Sequence, residues 1–140
     1  IGIGSALENF QPDNPFTAGE RFQMIKNTLD AEKIKSNKYS IIPIPNINNY
    51  ALWVKHVALL TPPFSHIYTG SPLIKQLFEQ NNYPVIDINK EQKICATQIR
   101  EAILKNQNWQ KMLHPEVTNF IKNINGSERL RTIHQSIAFS

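Results

Sequence analysis

Four short β-branched runs alternate with stretches of helical periodicity along this chain, and that alternation admits few architectures. Ile1–Gly4, Tyr39–Ile44, Ser65–Thr69 and Pro84–Ile88 are the strand candidates. Between them, Phe22, Ile25 and Leu29 recur at helical spacing over about Ala18 to Lys35, and Trp53, Val57 and Leu60 share a face of Tyr50–Leu60. Leu73 and Leu77 stand one turn apart after Pro72. Helices are also expected over Thr97–Asn106, over Pro115–Asn123 with Val117, Phe120 and Ile121 inward, and in a last segment carrying Leu130 and Ile133. Short strands alternating with helices predict an α/β fold: a parallel sheet covered on both faces, with helices gathered at the C-terminal end.

The punctuation agrees with this order. Thr17-Ala18-Gly19-Glu20 fits a capping box, in which the threonine hydroxyl caps the helix and the glutamate reaches back to the cap N–H. Pro62-Pro63 stops the second helix, and Pro72 suits a first helical position, where its missing N–H would have no partner anyway. Asn89–Lys93 is expected to be a polar hairpin or loop, and Asn125-Gly126 a turn after which Ser127 caps the final helix. No repeat or low-complexity tract interrupts the chain, so residues 1–140 are expected to form one domain.

Composition narrows the function classes. With 140 residues and 41% apolar content, the chain can bury a core. A single cysteine, Cys95, excludes a disulfide framework and a multi-cysteine metal site within these residues. No base stands near Cys95 in sequence, which favours a small turn residue over a nucleophile. No apolar run approaches the roughly 20 residues needed to span a bilayer, and no secretory signal is present, so a cytoplasmic protein without a membrane partner is expected. The net charge of +4 comes in large part from Lys26, Lys33, Lys35 and Lys38, interleaved with Asp30 and Glu32. That pattern is a solvated helix face and lacks the aromatic interleaving of a nucleic-acid groove; small anions such as nucleotides suit it better.

In open parallel sheets, ligands sit beyond the carboxyl ends of the strands. The loops that follow the strand candidates are Ser5–Phe16, Pro45–Asn49, Gly70–Ser71 and Cys95–Ala96. Ile94-Cys95-Ala96-Thr97-Gln98-Ile99-Arg100 has the form of a nucleotide-binding turn: an apolar run, a small-residue bend, a threonine opening a helix, and an arginine one turn inside. Free backbone N–H groups at the helix start, the Thr97 hydroxyl and the Arg100 guanidinium could converge on one anion. Arg100 could equally be a surface residue paired with Glu101 or Glu128. Arg21 lies near the N-terminus of its own helix, a mildly unfavourable place for a cation that hints at another task, although a solvated charge explains it as well. Trp53 is either core or a platform for a flat heterocycle. Asn46, Asn48 and Asn49 offer amides beside it, or simply make the turn. His56, His66, His114 and His134 are scattered and form no ligand pair; His114 and His134 are expected at the surface.

Taken together, Gly2–Ala6, Asn14–Arg21, Pro43–Pro63, Pro72–Tyr83, Ile94–Arg100 and Gly126–Arg131 closely resemble the archaeal-type nicotinamide-mononucleotide adenylyltransferases, members of the nucleotidyltransferase superfamily with an HIGH-type signature. The resemblance covers nearly the whole chain. It implies a Rossmann-like nucleotidyltransferase fold and an enzyme of NAD biosynthesis, which moves the adenylyl group of ATP onto nicotinamide mononucleotide with Mg²⁺ sharing the phosphate charge. Carried over motif by motif, Arg100 and the Thr97 helix start would hold the ATP phosphates, with Cys95 in the same turn. Arg21 would bind a phosphate, Trp53 would stack on nicotinamide with Asn46 and Asn49 nearby, and Gly70 and Ser71 would lie near adenine. No protein-built metal site is implied, and homo-oligomers are the family's habit.

Three departures stand out. Cys95 replaces a serine of the signature, which removes a hydroxyl donor; Asn46 replaces an aspartate and Tyr50 an asparagine, and these two open a related nucleotidyltransferase with another acceptor as an alternative. The family's first strand, its arginine-containing glycine turn and its two-histidine helix would precede Ile1, and no His-x-Gly-His occurs in these residues. The sequence is therefore expected to be N-terminally incomplete and, by itself, a poor catalyst. A non-catalytic nucleotide-binding module that kept Arg100 is the reading from another class.

Overall fold

A computed structural model describes residues 1–88 and 94–138. The anticipated Asn89–Lys93 hairpin or loop lies outside the described residues. The contacts divide the chain into two compact units, Ile1–Pro45 with Ile94–Ser140, and Asn46–Lys93. Each holds a short parallel sheet with helices against it, and six α-helices occur among the described residues. The α/β class expected from the sequence is what the chain adopts.

In the first unit, β1 (Gly2–Ile3) pairs in parallel with β2 (Ile42–Pro43) in the register Gly2↔Ile42 and Ile3↔Pro43. The ladder is shorter than the apolar runs suggested. Pro43 has no N–H to give; Ile42 N–H donates to the Ile1 carbonyl and Ile44 N–H to the Ile3 carbonyl, at 2.9 and 2.8 Å, and Ala6 N–H reaches the Ile44 carbonyl at 3.2 Å. Ile3 and Ile44 are buried. α1 (Ala18–Ala31) follows, and its capping box forms as expected: Glu20 N–H donates to Thr17 Oγ1 at 3.1 Å and Thr17 N–H to Glu20 Oε2 at 2.9 Å.

α1 ends at Ala31, short of the expected Lys35. Lys33 turns left-handed (φ 59°), with its N–H bonded to Asp30 and the Ile34 N–H to Leu29, a Schellman stop. The same device ends two other helices with asparagine, Asn82 at φ 62° and Asn106 at φ 52°. Asparagine tolerates this conformation, which accounts for part of the chain's asparagine usage.

α4 (Ala96–Leu104), α5 (Pro115–Asn123) and α6 (Gly126–Ala138) complete the first unit. Met24, Ala102, Ile103, Trp109, Ile121 and Leu130 form its core, with Trp109 delivered by a 3₁₀ turn over Trp109–Met112. α5 has the bounds expected from the sequence. Its cap is His114, whose Nδ1 accepts from Glu116 N–H at 3.2 Å while Nε2 meets Glu32 at 3.1 Å. That ring is half-buried rather than at the surface. α6 begins at Gly126, so Ser127 lies inside the helix instead of capping it. Asn125, left-handed at φ 53°, makes the turn that leads into it.

Gly126 is a close approach. A Cβ there would stand 2.8 Å from Phe16 Cε1 and 3.2 Å from the Ile121 carbonyl oxygen. Only a residue without a side chain lets α6 begin this near the Phe16 ring.

The second unit holds α2 (Tyr50–Leu60), β3 (Ile67–Thr69), α3 (Pro72–Gln80) and β4 (Val85–Asp87). β3 and β4 pair in parallel, Ile67↔Val85 through Thr69↔Asp87. Val54, Val57 and Phe78 are buried, and Phe78, Phe64 and Tyr83 form a ring cluster with Phe64 stacked on Tyr83 at 4.9 Å. Leu60, expected on the buried face with Trp53 and Val57, is exposed at the helix end.

Candidate functional site

The loop after β1, the first turns of α1 and α4, and the inner faces of α5 and α6 enclose a cavity of about 240 Å³. The loop contributes Asp13, Asn14, Pro15 and Phe16; α1 contributes Arg21 and Met24. From α4 come Ala96, Ile99, Arg100 and Ile103, whose spacing of three, four and seven places them on one helix face. Leu113, Val117, Ile121 and Leu130 close the apolar floor. Both arginines singled out in the sequence therefore line one cavity.

Their settings differ. Arg100 donates from Nη2 to Thr97 Oγ1 at 3.2 Å, which brings hydroxyl and guanidinium together in the first turn of α4. The surface pairings that could have claimed it are taken: Glu101 meets Lys105 at 3.5 Å, and Glu128 meets Arg131 at 3.2 Å. Thr97 does not itself open the helix, however. Cys95 is the N-cap, exposed, and its N–H donates to Gln98 Oε1 at 3.0 Å. The thiol occupies the place where a hydroxyl would ordinarily serve, and Thr97 is the second helical residue.

Arg21 grips the end of β1. Nη1 donates to the Gly4 carbonyl at 2.8 Å and Nη2 to the Ser5 carbonyl at 2.9 Å, while Nε is buried without a hydrogen-bond partner. Ser5 is left-handed at φ 47°, so the arginine holds a turn that a non-glycine residue seldom adopts. Burial pulls the Arg21 pKa below its ordinary value, and Glu8 opposes that shift. The group stays cationic throughout the physiological range.

Sequence reasoning did not single out Arg129. Its Nη1 and Nη2 meet Glu20 Oε2 and Oε1 at 2.7 and 2.9 Å, a two-bond fork with both side chains only 20% exposed. The hydrogen bond from Arg129 holds the Glu20 carboxyl below the usual carboxylate range, against the opposing effect of burial. The two residues are 109 positions apart, and no local pattern announces the pair. Asp13, Asn14 and Phe16 on the cavity wall were likewise unassigned, although Asn14–Arg21 is one of the segments that carry the family resemblance.

The remaining candidates belong to the second unit. Asn46 Oδ1 accepts from Asn48 N–H at 3.3 Å, and Asn49 is the N-cap of α2. Trp53 is half-buried on α2, its ring 5.7 Å from that of His56. Ser71 caps α3 by accepting from Ile74 N–H at 3.4 Å, and its own N–H donates to Thr69 Oγ1 at 3.1 Å. Gly70 joins β3 to this cap.

A parallel α/β scaffold that brings two arginines and a helix N-terminus to one cavity is an arrangement able to hold an anion, as nucleotide-binding folds do. No family model matches the chain. Curated relatives do. A nicotinamide-nucleotide adenylyltransferase of Picrophilus torridus is 39% identical over 138 residues, 97% of this chain and 80% of that protein. One from Methanococcus aeolicus is 40% identical over 136 residues, covering 96% and 77%. Another from Pyrococcus furiosus is 36% identical over 143 aligned positions, covering 100% and 76%. The chain belongs to the nicotinamide-nucleotide adenylyltransferase family.

Proposed function

We propose that the protein transfers the adenylyl group of ATP to nicotinamide mononucleotide, forming NAD and releasing pyrophosphate. A 5′-phosphate oxygen of the mononucleotide attacks the α-phosphorus of ATP; the new O–P bond forms as the bond to the bridging oxygen of pyrophosphate breaks. No enzyme nucleophile is required. The protein's contribution is to orient two phosphate groups and neutralise the charge that accumulates between them. The observation that carries this reading, beside family membership, is that Arg21 and Arg100 line the same cavity at the N-terminal turn of α4.

Arg100, Thr97 and the free N–H groups of that turn, with Cys95 at its cap, suit the ATP phosphates, and Arg21, on the same cavity, suits a further phosphate group of the same ATP. ATP enters as its Mg²⁺ complex. Asp13 is the carboxylate on the cavity lining, and one carboxylate with substrate phosphates is a common way for Mg²⁺ to be held. By family resemblance Trp53 stacks on the nicotinamide ring with Asn46 and Asn49 near it, and Gly70 and Ser71 lie near adenine.

A cytoplasmic setting, homo-oligomeric assembly and the absence of a nucleic-acid partner belong to the same proposal. Among the described residues no helix is long and apolar enough to cross a membrane. The exposed free thiol of Cys95 suits a reducing compartment. Leu59, 84% exposed, and Leu7, 77% exposed, suit contacts between copies. Lys26 is paired with Asp30, which removes part of the basic face from any polyanion.

The test is product formation by the full product of the gene, given ATP, Mg²⁺ and nicotinamide mononucleotide. NAD and pyrophosphate in equal amounts are expected. Turnover only with another acceptor would replace the mononucleotide, and MgATP binding without turnover on any acceptor would leave a nucleotide-binding module.

A further inference from the structure

We propose that Arg129 is a positioning residue: it fixes the first turn of α1, and through that turn the guanidinium of Arg21, for phosphate binding. The inference rests on the phosphate role given to Arg21 above. Arg129 sits in α6 and touches the β1–α1 segment at four points. Its fork holds both oxygens of Glu20 at 2.7 and 2.9 Å, its Nη1 reaches the Pro15 carbonyl at 3.4 Å, and its guanidinium lies 4.7 Å from the Phe10 ring centre and 6.0 Å from that of Phe16.

These contacts differ from an ordinary ion pair in what they hold. Phe10 has a left-handed backbone (φ 53°), which a bulky residue keeps only when its surroundings impose it. A cation against its ring is such a restraint. Glu20 is at the same time half of the capping box that starts α1, so the fork fixes the carboxylate which in turn bonds the Thr17 N–H. Arg21 is the next residue, and its guanidinium already bridges two carbonyls at the end of β1. Rotation of the first turn would move Arg21 and the loop wall together. A planar two-bond fork specifies that rotation; a lysine ammonium, a point charge on a flexible stem, does not.

The test is a double-substitution cycle read by MgATP affinity. Arg129→Lys in the full-length protein should weaken MgATP binding about tenfold, the scale of a small misplacement of a phosphate ligand. The same substitution in an Arg21→Ala background should add nothing, because the group being positioned is gone. Arg131→Lys, on the same helix but bonded to Ile103 and Asn106, should leave affinity within about twofold. Equal weakening by Arg129→Lys with and without Arg21, or by Arg131→Lys, would reduce Arg129 to general stability and overturn the inference. Unchanged affinity in Arg129→Lys would overturn it too. If the unsubstituted protein forms NAD and the cycle is additive, only the inference fails; if it binds no MgATP, the phosphate-site reading fails and takes the inference with it.

Discussion

Replacing Gly126 by alanine adds one methyl group where three atoms already crowd. The new Cβ would lie 2.8 Å from Phe16 Cε1, 3.1 Å from Ile121 Cγ2 and 3.2 Å from the Ile121 carbonyl oxygen. The Ile121 methyl can swing aside, but the carbonyl belongs to α5 and the Phe16 ring is a wall of the cavity. Relief therefore requires α6 to move or Phe16 to shift into the site. Overpacking of this kind costs about 1–3 kcal/mol. Among the described residues no glycine has a positive φ, so alanine has access to the backbone conformation at Gly126 and recovers about 0.4–1 kcal/mol by restricting the unfolded chain. The net expectation is a loss of about 1–2 kcal/mol. Gly19 is the internal comparison. It lies in the first turn of α1, where a Cβ would meet only Thr17 Oγ1 at 3.9 Å, an ordinary contact. Gly19→Ala should therefore stabilise by roughly 0.5 kcal/mol. Urea unfolding at pH 7, followed by helical circular dichroism, gives both free energies with a common slope. A Gly126→Ala protein as stable as Gly19→Ala would refute the claim that α6 begins in contact with Phe16.

Two further outcomes follow from the same packing. Leu130 is 1% exposed and reaches both the core and the cavity; Leu130→Ala should lose about 2–5 kcal/mol in the same unfolding assay, and a loss under about 1 would show a looser interior. The Glu20 carboxyl has a lowered pKa, so its contribution to stability is complete above its unfolded pKa of about 4.3 and fades as pH falls through the lower folded value. The stability difference between the unsubstituted protein and Glu20→Gln should thus be constant from about pH 5 to 7 and shrink below about pH 4; a difference that grew on acidification would contradict the Arg129 pairing.

Helices were legible where local chemistry decides them. α2 and α5 have the bounds their sequence implied, because proline stops one and starts the other, and the Thr17–Glu20 box formed as spelled. Misjudged boundaries trace to chemistry with weaker sequence marks. The helix expected to open at Thr97 begins at Ala96 behind a Cys95 cap, α6 begins at Gly126 so that Ser127 lies inside it instead of capping it, and Lys33 stops α1 early by a left-handed turn that lysine does not advertise. Strands were overread, since an apolar run shows where a strand is possible while pairing length depends on the partner, and Pro43 limits β2. At the site, the Ile94–Arg100 and Asn14–Arg21 motifs led to both cavity arginines. The Glu20–Arg129 fork stayed hidden because its members meet only after α1 and α6 have packed.

The central claim is that Arg100 acts on the phosphates of ATP, and turnover isolates it. NAD formation from ATP, Mg²⁺ and nicotinamide mononucleotide should be measured for the full gene product, for Arg100→Ala, and for Lys38→Ala, which removes an exposed charge at the end of a 3₁₀ turn. Arg100→Ala should reduce kcat/KM by about 100-fold or more, while Lys38→Ala should stay within about twofold. Equal effects of the two substitutions would contradict the account.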